Sequence, residues 1–321
     1  MKLIIQIPCY NEEKNLPATF LDLPKTIEGI DRIETLIIDD GSEDRTVEIA
    51  RRIGVDHILS LKNHQGLARA FSEGIDKSLE LGADIIVSTD ADNQYAGQDI
   101  PRLVQPILEG KADLAVGARQ IEAIPHFSRF KKRLLRWGSA VIRTLSRTKV
   151  EDVVSGFRAF SKEAALRLSI LSDYSYTIEN LIQLGHQKLK IISIPIRTNP
   201  KSRESRLIKN IPHFVGQQAA TILRVYATYQ ALKVFMTLGL IIILPGLLGF
   251  LRFLYFYWTG QGQGHIQSLV FSAAMFLGGL LIFIFGLIAD LIGNNRKLIE
   301  KALYRIKRME LENAERTKDE D

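Results

Sequence analysis

IIVSTDADNQ, residues 85–94, decides how this chain is read. Ile85 to Ser88 is an apolar run short enough for a buried strand, and it ends in two carboxylates, Asp90 and Asp92, followed by the amide of Gln94. Carboxylates spaced i, i+2 in an extended turn point the same way and present hard oxygen ligands of the kind that hold Mg²⁺ or Mn²⁺. Asp-x-Asp alone occurs in many loops. Directly after a buried strand it marks a candidate metal and diphosphate site.

Outward from this stretch, short runs rich in β-branched residues and leucine recur at Leu3 to Ile7, Thr35 to Asp39, Ile58 to Leu61 and Leu114 to Val116. Segments with helical spacing lie between them, at Glu43 to Ile53, Gly66 to Leu81 and Asp99 to Leu108. Strands separated by helices of this length imply right-handed crossovers, hence an α/β domain with a mainly parallel sheet. Ligands of such sheets lie beyond the carboxyl ends of the strands. Polar clusters sit at those ends: Pro8 to Glu13, Asp39 to Asp44, and Asp90 to Gln94. Asp39-Asp40-Gly41-Ser42 reads first as a turn, with Ser42 or Asp44 capping the next helix. One carboxylate can cap while the other meets a base or ribose.

The 321 residues carry a formal charge of +6 and a single cysteine, Cys9, which excludes a disulfide framework and a thiolate zinc cluster. No G-x-x-x-x-G-K-[ST] occurs, and the first strand ends in Pro-Cys-Tyr-Asn-Glu-Glu rather than glycines, so a P-loop NTPase and a Rossmann dehydrogenase are both disfavoured. The histidines show no metal-ligand spacing, and only His64, in the loop Asn63 to Gly66, is placed to approach a donor. Residues 234–251 and 269–289 lack charged side chains and are long enough to span a bilayer as helices. The loop from Trp258 to Gln267 has no Lys or Arg, whereas Arg296, Lys297, Lys301, Arg305, Lys307 and Arg308 follow the second run. That asymmetry puts the sheet domain and the tail on the cytoplasmic side of an integral membrane protein. The expected organisation is a sheet domain over 1–206, an amphipathic juxtamembrane helix over 207–233, a two-helix hairpin over 234–292 and a basic tail over 293–321. The basic stretch 120–149 points to lipid headgroups or a phosphorylated acceptor, not to nucleic acid. Short membrane helices that bury little alone make a homo-oligomer an expectation.

IPCYNEEKNL (7–16), IIDDGSEDRT (37–46), STDADNQY (88–95), AVGAR (115–119) and DVVSGFRAF (152–160), in that order, resemble the family 2 glycosyltransferases with a GT-A fold. Within them the chain is most similar to the branch of dolichyl-phosphate mannose synthase and bacterial polyprenyl-phosphate glycosyltransferases, some of which also carry two C-terminal spans. The resemblance covers roughly residues 1 to 210. It implies an inverting, metal-dependent hexosyltransferase that moves a sugar from a UDP- or GDP-linked donor to a dolichyl or undecaprenyl phosphate.

The resemblance implies that Pro8, Tyr10, Glu12, Asp39 and Asp40 line the nucleoside pocket, and that Asp90, Asp92 and Gln94 surround Mg²⁺ or Mn²⁺ and the diphosphate. Arg119 would face the acceptor phosphate, with Ser155 and Arg158 on the same side and Asp152 as a positioning group or base. Arg133, Arg136 and Ser139 are candidates for a second phosphate clamp. Where the family shows Arg-x-x-Gly-x-Ser-Lys, this chain has Arg203-Glu204-Ser205-Arg206 after Asn199-Pro200-Lys201, so positive charge is kept at Arg203 and Arg206 without the glycine. Two rival readings stay open: a processive polysaccharide synthase of the same superfamily, and a non-catalytic membrane scaffold that keeps the fold.

Overall fold

The computed structural model describes residues 1–119, 148–170, 176–200, 231–260 and 262–320, together with Ala140, Ile142, Arg143 and Ser146. Seven strands form one sheet: β1 (Lys2–Cys9), β2 (Arg32–Asp39), β3 (His57–Ser60), β4 (Ile85–Ser88), β5 (Leu114–Arg119), β6 (Arg158–Ser161) and β7 (Ile191–Ile196). Their order is β3-β2-β1-β4-β6-β5-β7. The five runs read from the sequence are β1 to β5. β6 is the one strand that runs against its neighbours β4 and β5, and β7 pairs with β5 in parallel.

β1 lies between β2 and β4, so the order reverses beside it, and the loops after all three strands leave from the same edge. Register fixes their heights. Cys9 pairs with Asp39, and Gln6 with Ser88, which brings the chain after Cys9 beside Asp40 and near Asp90. β1 is buried from Leu3 to Cys9, as a strand covered on both faces must be. The helix α3 (Leu67–Glu80) packs on β1 and β2, and α4 (Ile100–Leu108) on β4, β5 and β6, with their apolar residues Phe71, Ile75, Leu103 and Val104 buried. Smaller helices are α1 (Leu16–Leu21), α2 (Thr46–Arg52), α5 (Lys162–Leu166) and α6 (Tyr176–His186).

Two long helices complete the chain, α7 (Ala231–Trp258) and α8 (Ile266–Glu320). At 28 residues, α7 is about 42 Å long, more than a hydrocarbon core requires. The chain divides into two compact units, one of residues 1–210 with 303–321, the other of residues 211–302. In the second, glycines let the helices approach closely: a Cβ on Gly246 would stand 2.9 Å from the Ser272 carbonyl oxygen, and one on Gly239 would stand 3.0 Å from that of Gly279. In the first, the end of α8 rests on the sheet domain. Tyr304 donates to the Glu163 carboxylate at 3.0 Å, Lys307 reaches Asp76 of α3 at 2.6 Å, and the Arg167 guanidinium lies 5.1 Å from the Tyr304 ring centre. The basic tail is therefore part of α8. Of the expected juxtamembrane helix, only residues 231–233 are described, as the first turn of α7.

Candidate active site

The loops after β1, β2 and β3 are bolted together by side chains. Asn11, in the left-handed region with φ 54°, accepts the Glu43 N–H at 2.9 Å through Oδ1, while its own N–H donates to Ser42 Oγ at 2.9 Å. The N-cap of α2 is Arg45, not the expected Ser42 or Asp44; Asp44 stands one residue ahead of it and accepts the N–H of Thr46, the first helical residue, at 2.9 Å. Thr46 Oγ1 accepts the N–H of Glu12, whose carboxylate takes the Asn15 amide at 2.8 Å. Asp39 accepts the Ser42 N–H at 3.2 Å.

Asp40 departs from the expected base contact. Its carboxylate is buried and accepts the N–H groups of Gln65 at 2.7 Å and Gly66 at 2.8 Å, with His64 Nδ1 2.8 Å away. Its lone pairs hold the turn into α3 and are not directed at a base. Gly41 allows this: with φ 70°, it would carry a Cβ 2.7 Å from the His64 backbone nitrogen. The turn presents the His64 ring, which stacks on Tyr10 at 3.9 Å between centroids. Pro8 is buried at the end of β1, and the Tyr10–His64 pair forms the aromatic surface beside it.

In the loop after β4, Asn93 takes φ 55° to turn the chain, and Thr19 Oγ1 donates to the Ala91 carbonyl at 2.8 Å. Asp92 accepts from Gln94 twice, from its backbone N–H at 3.1 Å and its side-chain amide at 2.9 Å. Gln94 thus orients Asp92 through its nitrogen. Gly156 makes room for Asp90, because a Cβ there would stand 3.1 Å from Asp90 Oδ1 and 2.8 Å from the Tyr176 hydroxyl. Among the described residues no three His, Cys, Asp or Glu side chains cluster as a closed metal cage. Two carboxylates at a loop end still fit Mg²⁺ or Mn²⁺, which keep open positions for substrate phosphates when few protein ligands bind them.

The acceptor-side segment lies against this loop. Arg119 closes β5 and forms a two-pronged bond with the buried Asp152, Nε to Oδ2 at 2.6 Å and Nη2 to Oδ1 at 3.1 Å, which leaves Nη1 out of the pair. Burial pulls the Arg119 pKa down, but Tyr95 and Asp152 outweigh it and raise it, so the guanidinium stays charged. Ser155 is fully buried, and its Oγ accepts the Phe157 N–H at 3.3 Å.

Arg158 corrects the sequence reading. It is fully buried in β6 and its guanidinium donates to the carbonyl oxygens of Ser155 at 2.8 Å, Thr177 at 2.8 Å and Val153 at 2.9 Å, and to the Asn180 side chain. With these donors engaged and no solvent access, it cannot grip a lipid phosphate. Burial lowers its pKa to about 10, with Tyr176 and Asp152 opposing, so it remains a cation that pins the 153–155 backbone. Arg133, Arg136, Ser139, Arg203 and Arg206 lie outside the described residues.

Tyr95 was not singled out from the sequence, yet it joins the two halves of the site. Its hydroxyl accepts the Gly156 N–H at 3.1 Å, its ring stacks on Phe157 at 5.1 Å, and the Arg119 guanidinium lies 5.9 Å from the ring centre. Burial pushes its phenol up to about 12, with Arg119 pulling the other way and Asp90 and Asp152 adding to the rise. Its backbone bridges Thr198, and the Asn199 N–H donates to the Gln94 carbonyl at 2.9 Å. The stretch just ahead of Lys201 is therefore fastened to the loop that carries Asp90 and Asp92. An aromatic residue following the metal motif was the available signal.

The model of Glycosyl transferase family 2 matches residues 4–168, just over half of the chain. The UDP-N-acetylglucosamine–dolichyl-phosphate N-acetylglucosaminyltransferase of Methanococcus voltae is 34% identical over 220 residues, 60% of this chain and 83% of its own length. The dolichol-phosphate mannosyltransferase of Pyrococcus furiosus is 28% identical over 64% of this chain and 59% of its own length. Glycosyltransferase AglJ of Haloferax volcanii is 25% identical and aligns with 90% of this chain and 92% of itself. Among solved structures, the glucosyl-3-phosphoglycerate synthase of Mycobacterium tuberculosis with Mn²⁺, UDP and product superposes with a TM-score of 0.55 at 18% identity, over 70% of this chain and 78% of that one. That likeness concerns the fold, a GT-A α/β domain. The chain is a member of glycosyltransferase family 2.

Proposed function

We propose that this glycosyltransferase moves a sugar from a nucleoside-diphosphate donor to the phosphate of a membrane polyprenyl lipid, with inversion at the anomeric carbon. One observation carries the reading. The Asp90/Asp92 loop and the Arg119–Asp152 pair open at the same sheet edge and are joined through Tyr95 and Gly156. Two relatives whose names specify dolichyl phosphate as acceptor support it.

The donor diphosphate lies along the loop after β4, with the nucleoside toward Tyr10 and His64. Asp90 and Asp92 would hold the divalent ion, with Gln94 orienting Asp92. When bound, Mg²⁺ or Mn²⁺ neutralises charge on the departing diphosphate. A lipid monophosphate has a second pKa of about 6 and is already mostly dianionic near neutrality, so its oxygen attacks the sugar without a general base. Arg119 positions that phosphate through the edge its pair with Asp152 leaves over, and Asp152 fixes the guanidinium plane. The basic residues Arg133, Arg136, Arg203 and Arg206 supply further cations on the acceptor side. The hairpin of α7 and α8 anchors the chain in the bilayer, with the sheet domain on the cytoplasmic side.

The test is purified full-length protein with polyprenyl phosphate, Mg²⁺ or Mn²⁺ and a panel of labelled UDP- and GDP-sugars. Label moving from one donor into the lipid fraction, and lost on adding EDTA, is the expected result. A growing polymer would favour the synthase reading. Absence of transfer from every donor would favour the scaffold.

A further inference from the structure

Beyond its charge-free run, α8 carries an apolar face without a partner among the described residues. Leu291, Ile292, Leu298, Ile299, Ile306 and Met309 are each at least half exposed, although all follow the run at 269–289 that a bilayer would cover. Contiguous exposed apolar surface of this kind marks an interaction site. The spacing is a heptad. Phe285, Ile292, Ile299 and Ile306 recur every seven residues at position a, and Ile288, Asn295, Ala302 and Met309 follow each by three at position d. The opposite face is engaged within the chain: Tyr304, Lys307 and Arg308 fall at f, b and c, where Tyr304 meets Glu163 of α5, Lys307 meets Asp76 of α3, and Arg308 lines a cleft with Lys162 and Leu166.

We propose that the a and d face of α8 receives α8 of a second copy of this chain, as a parallel two-stranded coiled coil across residues 291–310. Ile292, Ile299 and Ile306 supply the β-branched side chains that two-stranded coils favour at a, while Asn295, Ala302 and Met309 fill d. In a parallel pair, each g residue faces the e residue five positions on in the partner, so Leu291 meets Arg296, Leu298 meets Leu303, and Arg305 meets Glu310, a cation opposite an anion. Parallel direction follows if both copies insert in the same sense, which rests on reading α7 and α8 as membrane spans and not on the transfer reaction.

The chain offers a clean probe, because its one cysteine, Cys9, is buried in β1. Full-length variants Ile299→Cys and Ile306→Cys, with Lys301→Cys at the exposed c position as control, would be oxidised with copper phenanthroline in membranes. Both a-position variants should give a disulfide-linked dimer and the control little, since Cβ atoms of the seam approach one another and those at c point away from it. Adding Arg305→Glu to I306C should reduce the dimer several-fold, and adding Glu310→Arg as well should restore it. Equal cross-linking at 301, or none at 299 and 306, overturns the proposal. If I306C is instead labelled by a bilayer-partitioning maleimide with no dimer formed, the face belongs to lipid and the proposal is likewise overturned. Sugar transfer measured on the same membranes reports separately on the catalytic reading.

Discussion

At the scale of single residues, chemical type and placement pull apart. Arg158 and Asp40 have the right chemistry for phosphate and base, and both are used instead to satisfy the backbone. Replacing Arg158 with Met would orphan several buried carbonyl groups. We predict a loss on the order of 2–4 kcal/mol in unfolding free energy, read by denaturant titration, whether or not lipid acceptor is present. Glu34 gives a second test. Burial would raise its pKa, but its bonds to Lys2 and His57 outweigh burial and hold it below the ordinary carboxylate value. A lowered folded pKa contributes stability above the unfolded value, and that stability is lost as pH falls through the folded one. Melting temperature should therefore drop below about pH 4, and Glu34→Gln should flatten that acid limb. What sequence could supply here was the motif and the role it implies. It could not supply solvent exposure, which decides whether Arg158 is a ligand or a brace.

At the scale of elements, β1 to β5 and the apolar helices were legible because short continuous apolar runs and spacing of period 3.6 carry their own burial signal. β6 was hidden because its four residues open on a charge, Arg158, whose burial depends on carbonyls of other segments. β7 contains Pro195, which demotes a run read in isolation; the strand tolerates it as the sheet's edge, with β5 its one neighbour. Inside the sheet, Gln6 of β1 is fully buried and its side-chain amide has no hydrogen-bond partner among the described residues. It lies against Gly74 of α3, where an added Cβ would also come 2.7 Å from Ile38 Cδ1. Gln6→Met keeps the length of the side chain and removes the unpaired amide. It should stabilise the protein by about 1–2 kcal/mol, measured as a higher denaturation midpoint at unchanged m. A midpoint that falls would mean the amide is satisfied in solution.

At the scale of the whole molecule, the site is assembled from segments that are far apart in sequence and share one edge of the sheet. Pattern reading found the three polar loops that meet at this edge, since each directly follows a strand, but Tyr95 as the bridge to Arg119 required the register of β4, β5 and β6. If the acceptor is its own nucleophile, kcat/KM for the lipid should rise with pH through about 6, as the phosphate loses its second proton, and should do so with the same midpoint in Asp152→Asn despite a lower rate. A midpoint that disappears in that variant would make Asp152 the base. The central claim is that the sugar alone is transferred, onto a phosphate oxygen, under a divalent ion held by Asp90 and Asp92. Mass spectrometry of the lipid product, paired with identification of the released nucleotide, tests it most directly. Lipid phosphate plus one sugar and a nucleoside diphosphate in equal amount are expected, both lost in D90N/D92N protein that still folds; a lipid diphosphate-sugar with a nucleoside monophosphate, or unchanged product from the double variant, would overturn it.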